Sequence, residues 1–317
     1  MEKELWFTAP RKVEIIAVES FNIKGLINIK SHYSLISTGT EMLMYNGNVP
    51  VELHETMKVP HIRGSFNFPF TYGYSLVGQI NDKTHVDYGK FAHLLHPHQS
   101  YANVSSEFIS LIPEDLDPKL AVLTSNLETA LNAVWDGNIK IGENVLIVGF
   151  GMIGALLAGV LKSIKHVNIY IAETNKERIQ LVKQLGLKLY TDEVNLDAAF
   201  NTSANEKGFQ IGLNSIGFEG RLIELSWYGK KEIKVSLGGD FHSKRKKIIS
   251  SQVGSLPKDM RSLWDYKRRK DVVFELLKDN YFGKLPLEEI NFDNAPEAYV
   301  DLNNNKINGL AKIIKYV

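Results

Sequence analysis

Two kinds of hydrophobic pattern divide the chain. Up to about residue 128, short apolar runs such as Val13-Glu14-Ile15-Ile16-Ala17-Val18 alternate with clusters of Gly, Pro, Asn and Asp, which predicts short strands and turns with little helix. From Leu127 to Trp135 the apolar positions fall at helical spacing and stop before the turn signal Asp136-Gly137-Asn138. Strands and helices are then expected to alternate: a strand over 144–148, a helix over 153–161, a strand over 167–172, and a helix over 175–186 closed by Gly186. Further apolar runs at 196–200, 221–227 and 233–237 predict more parallel strands, the βαβ rhythm of a doubly wound sheet. Residues 264–278 read as a charged helix and 309–317 as a closing strand. No internal repeat or low-complexity segment is present.

Composition narrows the class. A 317-residue chain with 44% apolar and 23% charged residues builds one large or two ordinary globular domains. Lys and Arg number 37 against 36 Asp and Glu, so no overall field draws the chain to nucleic acid or to an anionic membrane. No apolar run reaches the ~18–20 residues of a membrane span. The opening Met1-Glu2-Lys3-Glu4-Leu5 lacks the apolar stretch of a secretion signal, and a cytoplasmic location is expected. Cysteine is absent, which excludes disulfides, thiol nucleophiles and thiolate zinc ligands.

The strongest chemical signal is Gly149-Phe150-Gly151-Met152-Ile153-Gly154, between a predicted strand and a predicted helix. In that setting Gly149 permits a tight turn, Gly151 lets a pyrophosphate approach the backbone, and Gly154 lets helix and strand pack closely. The helix start at Met152 and Ile153 offers free N–H groups to phosphate. Glu173 ends the next strand, where a carboxylate accepts from both hydroxyls of an adenosine ribose and repels a 2′-phosphate. NAD(H) is therefore expected over NADP(H), with Lys176 and Arg178 working against that preference. The bland alternative is a glycine-rich turn of another α/β protein.

Ser34-Leu35-Ile36-Ser37-Thr38-Gly39-Thr40-Glu41, Tyr72-Gly73-Tyr74-Ser75-Leu76-Val77-Gly78 and the glycine loop together resemble a medium-chain dehydrogenase/reductase across essentially the whole chain. The similarity is greatest to a branch known as zinc-type alcohol dehydrogenase-like, with which the chain shares His96-Pro97-His98-Gln99 and 126–132. The resemblance implies an α/β fold, a Rossmann doubly wound parallel sheet domain (129–254) inserted in a GroES-like β-rich domain (1–128 and 255–317). It also implies an active site in the cleft, a small-molecule substrate and a homodimer. Zinc-dependent relatives place cysteine at Ser37, histidine at Tyr74 and a third ligand near Ser125; with hydroxyls there, a site without zinc is expected.

Without a metal, side chains must stabilise the alkoxide of a hydride transfer and supply its proton. His96 and His98, two apart on a segment expected to be extended, are candidates for an acid/base pair with His93 and Gln99 nearby; ordinary hydrogen-bonding histidines or a metal pair are the alternatives. Tyr74, Ser37 and Thr40 are candidate donors, Tyr74 alternatively a packed aromatic. Glu41 reads as a loop-fixing carboxylate or a base, Thr129 as a nicotinamide contact, and Glu128 as a cleft or capping group. The basic runs 242–247 and 267–270 read as solvated faces, or as an anion-binding or partner surface. The function expected is a zinc-independent NAD(H)-dependent oxidoreductase acting on a small polar alcohol or carbonyl compound, polyol- or sugar-like. The alternatives are an NADPH-dependent alkene (enone) reductase and a non-catalytic dinucleotide-sensing protein.

Overall fold

The structure is a computed structural model describing residues 1–19, 23–192 and 195–316. The chain divides into two units, Met1–Ser125 with Leu285–Val317, and Asn126–Lys284.

The first unit is β-rich. Its larger sheet runs in the order Leu287–Asn291, Ala311–Lys315, Ile27–Ile36, Leu76–Ile80, Phe91–Leu94 and Ser110–Leu111, with Tyr101–Val104 also paired to Ile27–Ile36. Ile29, Leu76, Ile80, Leu94, Ala102 and Val104 form an apolar core on one face. The closing strand Ala311–Lys315 pairs antiparallel with Ile27–Ile36, Ile314 opposite Ser34, and so brings Tyr316, the next-to-last residue, beside Ser34. Val317, the last residue of the expected strand, lies outside the described residues. A smaller sheet joins Lys12–Val18, Glu2–Ala9 and Phe70–Thr71.

The second unit carries a six-stranded parallel sheet: β1 (Asn144–Val148), β2 (Asn168–Ala172), β3 (Lys188–Leu189), β4 (Leu196–Asn201), β5 (Ile216–Glu224) and β6 (Lys247–Ser250). The strands lie in the order 3-2-1-4-5-6, the doubly wound arrangement that binds a dinucleotide across the switch between β1 and β4. The longer helices are α1 (Thr124–Asp136), α2 (Met152–Lys162), α3 (Lys176–Gln184), α4 (Glu206–Ser215) and α5 (Tyr266–Leu277). α2 is apolar on nearly every side, and Leu156, Leu157, Ala158 and Leu161 are fully buried. Among the described residues, no helix is long and apolar enough to cross a membrane.

Two sequence expectations give way here. Residues 255–284 group with the second unit, and not with the β-rich unit in which the resemblance placed them. The reason is a buried cation. Arg269 on α5 donates to Glu128 (3.1 Å) and Asn132 (2.9 Å) of α1 and to the Val253 carbonyl (2.8 Å). Trp264 packs on Trp135 with ring centroids 4.9 Å apart, and the Tyr281 hydroxyl donates to the Ala155 carbonyl of α2 at 2.9 Å. Residues 233–237 form no strand. Their backbone N–H groups turn to side chains of α4, Lys234 to Glu206 (3.2 Å) and Ser236 to Gln210 (2.9 Å), while Ile233 and Val235 pack on the core. The sixth strand is supplied by Lys247–Ser250.

The basic runs are largely neutralised within the fold. Lys244 and Lys246 pair with Asp240, each at 2.8 Å, Arg245 pairs with Glu219 (2.9 Å) and Lys267 with Asp271 (2.9 Å). Lys246 and Arg269 are buried, so the two runs are not simply solvated faces.

Candidate functional site

In the second unit the chain leaves β1 at Val148 and turns through Gly149 at φ +93°, a left-handed conformation that side chains resist. The turn throws the Gly149 carbonyl back against Gly154, where an added Cβ would lie 2.1 Å from that oxygen. The Thr202 hydroxyl, just beyond β4, donates to the same carbonyl at 2.9 Å and fixes it. Gly151 caps α2 without any side-chain hydrogen bond, and the first turn, Met152 and Ile153 included, holds no acidic residue. The exposed N–H groups and partial positive charge of that turn suit a phosphate.

Glu173 follows β2 directly. Its Oε2 accepts from the Phe150 backbone N–H (2.7 Å), and its Oε1 from those of Thr174 (2.6 Å) and Asn175 (2.9 Å). Three backbone donors thus hold the carboxylate against the glycine loop. Arg178, on the α3 turn capped by Asn175, brings a guanidinium nitrogen to 3.9 Å from Glu173 and beside Gly151. Thr129 lies part-buried on α1.

In the first unit the residues at the three zinc-ligand positions of the resemblance converge. The Tyr74 hydroxyl donates to Ser37 Oγ, and Ser125 Oγ donates to the Tyr74 carbonyl at 2.7 Å. Burial pushes the Tyr74 phenol up to about 12, with the Glu41 charge adding to the rise and hydrogen bonding with Ser37 and Thr40 opposing it. At neutral pH this group is a protonated donor. His93 Nε2 lies 3.1 Å from Ser75 Oγ and 3.2 Å from Ser125 Oγ. Those two hydroxyls already give their hydrogens to the carbonyls of Val122 and Tyr74, so Nε2 carries the ring proton and donates. A protonated phenol and two serine hydroxyls are poor zinc ligands beside thiolate, carboxylate or an imidazole lone pair. Among the described residues no group of three or more His, Cys, Asp or Glu is placed to hold a metal ion.

His96 and His98 do not form a pair. Residues 95–97 lie outside any strand, so spacing of two does not set the rings side by side. His96 stacks on His61, centroids 4.9 Å apart, and its Nδ1 donates to the Pro97 carbonyl (3.0 Å). Burial pushes His96 down to about 3, which leaves it neutral at physiological pH. His98 is fully buried between Ser34 Oγ (2.7 Å from Nδ1) and Glu41 Oε2 (3.0 Å from Nε2). An added Cβ at Gly73 would stand 2.9 Å from that ring, so the approach of the two segments requires glycine.

Glu41 is the hub of this buried set. Its carboxylate, with no exposure to solvent, accepts from the Ser37 backbone N–H (2.8 Å), from His98 and from the Tyr299 hydroxyl. Ser34 Oγ in turn lies 2.8 Å from the Tyr316 hydroxyl. Glu41 therefore fixes the loop that presents Ser37, as one of its two expected roles required. Ser34, His61, Tyr299 and Tyr316 were not legible as partners. The two tyrosines reach the site through tertiary contacts spanning 258 and 282 residues of chain.

No family model matches the chain. D-guloside 3-dehydrogenase of Escherichia coli is 23% identical over 206 residues, 60% of this chain and 59% of that protein, so the chain spans about three-fifths of the relative it matches. Solved structures match over nearly all of both chains. The 2R,3R-butanediol dehydrogenase of Bacillus subtilis superposes with a TM-score of 0.79 at 19% identity, covering 100% of each chain. A short chain alcohol dehydrogenase of E. coli CFT073 complexed with NADH gives 0.78 at 16% identity, covering 99% of each. A putative zinc-binding dehydrogenase of Sinorhizobium meliloti 1021 bound to NADP gives 0.77 at 14%, covering 100% of this chain and 99% of that one. At these identities the likeness establishes the fold. The sequence relatives also include a zinc-type alcohol dehydrogenase-like protein of Escherichia coli, and the solved structures are dehydrogenases whose fold this chain shares over nearly its whole length.

Proposed function

We propose that this protein is a nicotinamide-dependent oxidoreductase that moves a hydride to or from a small polar alcohol or carbonyl compound, prefers NAD(H), and works without zinc. One observation carries the reading: the loop Gly149–Gly154 opens an uncapped helix at the switch point of a 3-2-1-4-5-6 sheet, with Glu173 held against it. Gly149, Gly151, Gly154 and the N–H groups of Met152 and Ile153 would hold the pyrophosphate, with Arg178 alongside. Glu173 would take the adenosine ribose hydroxyls, and a 2′-phosphate would meet its charge. Thr129 remains a candidate contact on the nicotinamide side. The cofactor supplies or accepts the hydride when bound.

This chain's own part in the chemistry falls to hydroxyl groups. Tyr74, kept protonated by burial, would turn its hydroxyl from Ser37 to a substrate oxygen and give its proton to the alkoxide as that forms, the phenolate taking a proton back from solvent after turnover. His96, neutral at physiological pH, and His98, held between Ser34 and Glu41, would shape the site as partnered groups. A hydroxyl-lined site suits a polyol or sugar, and the dehydrogenases acting on guloside and butanediol among the matches agree with that substrate class.

A panel of polyols, aldoses and short diols with NAD⁺ tests the substrate class, and Tyr74→Phe tests the mechanism. The substitution removes one oxygen and leaves the ring. It is expected to lower kcat about 100-fold on the best substrate while leaving the NADH Kd unchanged. Turnover by Tyr74→Phe equal to wild type would remove Tyr74 from the chemistry.

A further inference from the structure

The carboxyl ends of the central strands carry a second arrangement that resembles the Glu173 site reflected across the sheet. One row of paired residues crosses this edge: Ala172, Val148, Asn201 and Glu224, on β2, β1, β4 and β5. The switch point lies between β1 and β4, so β5 stands to β4 as β2 stands to β1. Glu173 follows Ala172 of the row on one side of the switch point, and Glu224 is the last residue of β5 on the other.

The hydrogen bonding repeats as well. Glu173 accepts from backbone N–H groups one and two residues ahead and from the loop after β1. Glu224 accepts from the backbone N–H two residues ahead, Ser226, at 2.7 Å. Its Oε2 accepts from the side-chain amide of Asn201, at the end of β4, also at 2.7 Å. The loop after β4 is tied in by the Ala204 N–H, which donates to Ser226 Oγ (3.0 Å). Tyr228 completes the set, its hydroxyl donating to Glu224 at the longer distance of 3.3 Å and accepting from Asn201 at 3.1 Å. Asn201 is fully buried, whereas Glu224 and Tyr228 are part-exposed.

A carboxylate offers about four acceptor positions. Two of those on Glu224 hold short bonds to Asn201 and Ser226, and the contact to Tyr228 is long enough to be exchanged. Glu224 can therefore accept hydroxyl hydrogens while Tyr228 supplies a donor to the ligand. Those are the requirements of a ribose diol. In a sheet of this order a dinucleotide lies across the switch point, one nucleotide over β1 and β2 and the other over β4 and β5.

We infer that Glu224, with Tyr228 and Ser226, binds the ribose of the nicotinamide half of the cofactor, as the counterpart of Glu173 for the adenosine half. The inference rests on the nicotinamide reading above. Polar residues so placed have a fixed job: they hold the ribose, and through it the nicotinamide ring, at one position over the carboxyl ends of β4 and β5.

Binding of NADH and of ADP, which lacks the nicotinamide ribose, separates the two halves. Glu224→Gln keeps the shape and the acceptor for Asn201 but removes the charge. It is expected to weaken NADH about tenfold, the loss of a charge-assisted hydrogen bond or two, and to leave the ADP Kd within twofold of wild type. Glu173→Gln is expected to weaken both ligands. An unchanged NADH Kd in Glu224→Gln overturns the inference, as does equal weakening of NADH and ADP in both Glu224→Gln and Tyr228→Phe. Tyr228→Phe decides the matter if Glu224→Gln disturbs the fold: selective loss of NADH supports the assignment, and no selective loss ends it. Wild-type protein that binds neither ligand overturns the nicotinamide reading and this inference together, whereas wild type that binds both, with Glu224→Gln unaffected, overturns only the role of Glu224.

Discussion

Gly154→Ala should weaken NADH binding severely. The added methyl would sit 2.1 Å from the Gly149 carbonyl oxygen and 3.1 Å from Thr202 Oγ1. Neither neighbour has room to yield. The carbonyl is set by the left-handed turn at Gly149 and held by the Thr202 hydroxyl, and Thr202 also reaches the Val148 carbonyl at 3.1 Å. The start of α2 must therefore move outward, carrying the N–H groups of Met152 and Ile153 away from their aim. Overpacking of this kind costs about 1–3 kcal/mol or more, and two misaligned phosphate contacts add a comparable loss in affinity. The expected result is an NADH affinity lower by about 100-fold or more, with a melting temperature lower by roughly 3–10 °C. Fluorescence titration of NADH and a thermal melt on the same sample check both parts. Wild-type affinity in Gly154→Ala would show that the loop does not cradle a pyrophosphate.

The second large effect belongs to the β-rich unit. Glu41→Leu is expected to cost about 3–5 kcal/mol of stability, the range for removing one partner of a buried, hydrogen-bonded charge network. The carboxylate has no solvent exposure and answers three donors: the Ser37 N–H, His98 and Tyr299. Leucine fills most of the volume but leaves all three without an acceptor. Glu41→Gln keeps one acceptor oxygen and turns an NH₂ group toward the remaining donors, so it should fall between wild type and Glu41→Leu. Urea unfolding of the three proteins gives the comparison, and Glu41→Gln supplies the answer if Glu41→Leu does not fold. A loss below about 1 kcal/mol in Glu41→Leu would contradict the network, since exposed polar contacts cost that little.

The two sites differ in how far the sequence discloses them, and the difference is one of range. The dinucleotide loop is a local object. Gly149, Gly151 and Gly154 are spaced by backbone geometry, the flanking strand and helix by hydrophobic period, and Glu173 by the length of one helix and one strand. The network around Glu41 is the opposite case. It gathers Ser34, Glu41, His98, Tyr299 and Tyr316; Tyr316 arrives because the strand Ala311–Lys315 pairs with Ile27–Ile36, and Tyr299 comes from the helix Ala295–Asn303. No periodicity in the chain announces that pairing. The histidines show the cost of assuming local regularity: His96 and His98 have the right spacing for a pair, yet the backbone between them is irregular and each ring finds separate partners. The segment 255–284 shows the same limit, because its charged surface pattern conceals Arg269, which packs inward against Glu128. Glu224 escaped notice because its meaning depends on strand order, which appears only once the sheet is assembled.

The most direct test of the account is a pair of titrations, NADH and NADPH, on protein whose zinc content is measured by elemental analysis in the same preparation. The account predicts that NADH binds more tightly than NADPH, because Glu173 favours a free 2′-hydroxyl, and that zinc is far below one atom per chain. Stoichiometric zinc would contradict the reading of Ser37, Tyr74 and Ser125 as a hydroxyl site, and tighter binding of NADPH would contradict the reading of Glu173.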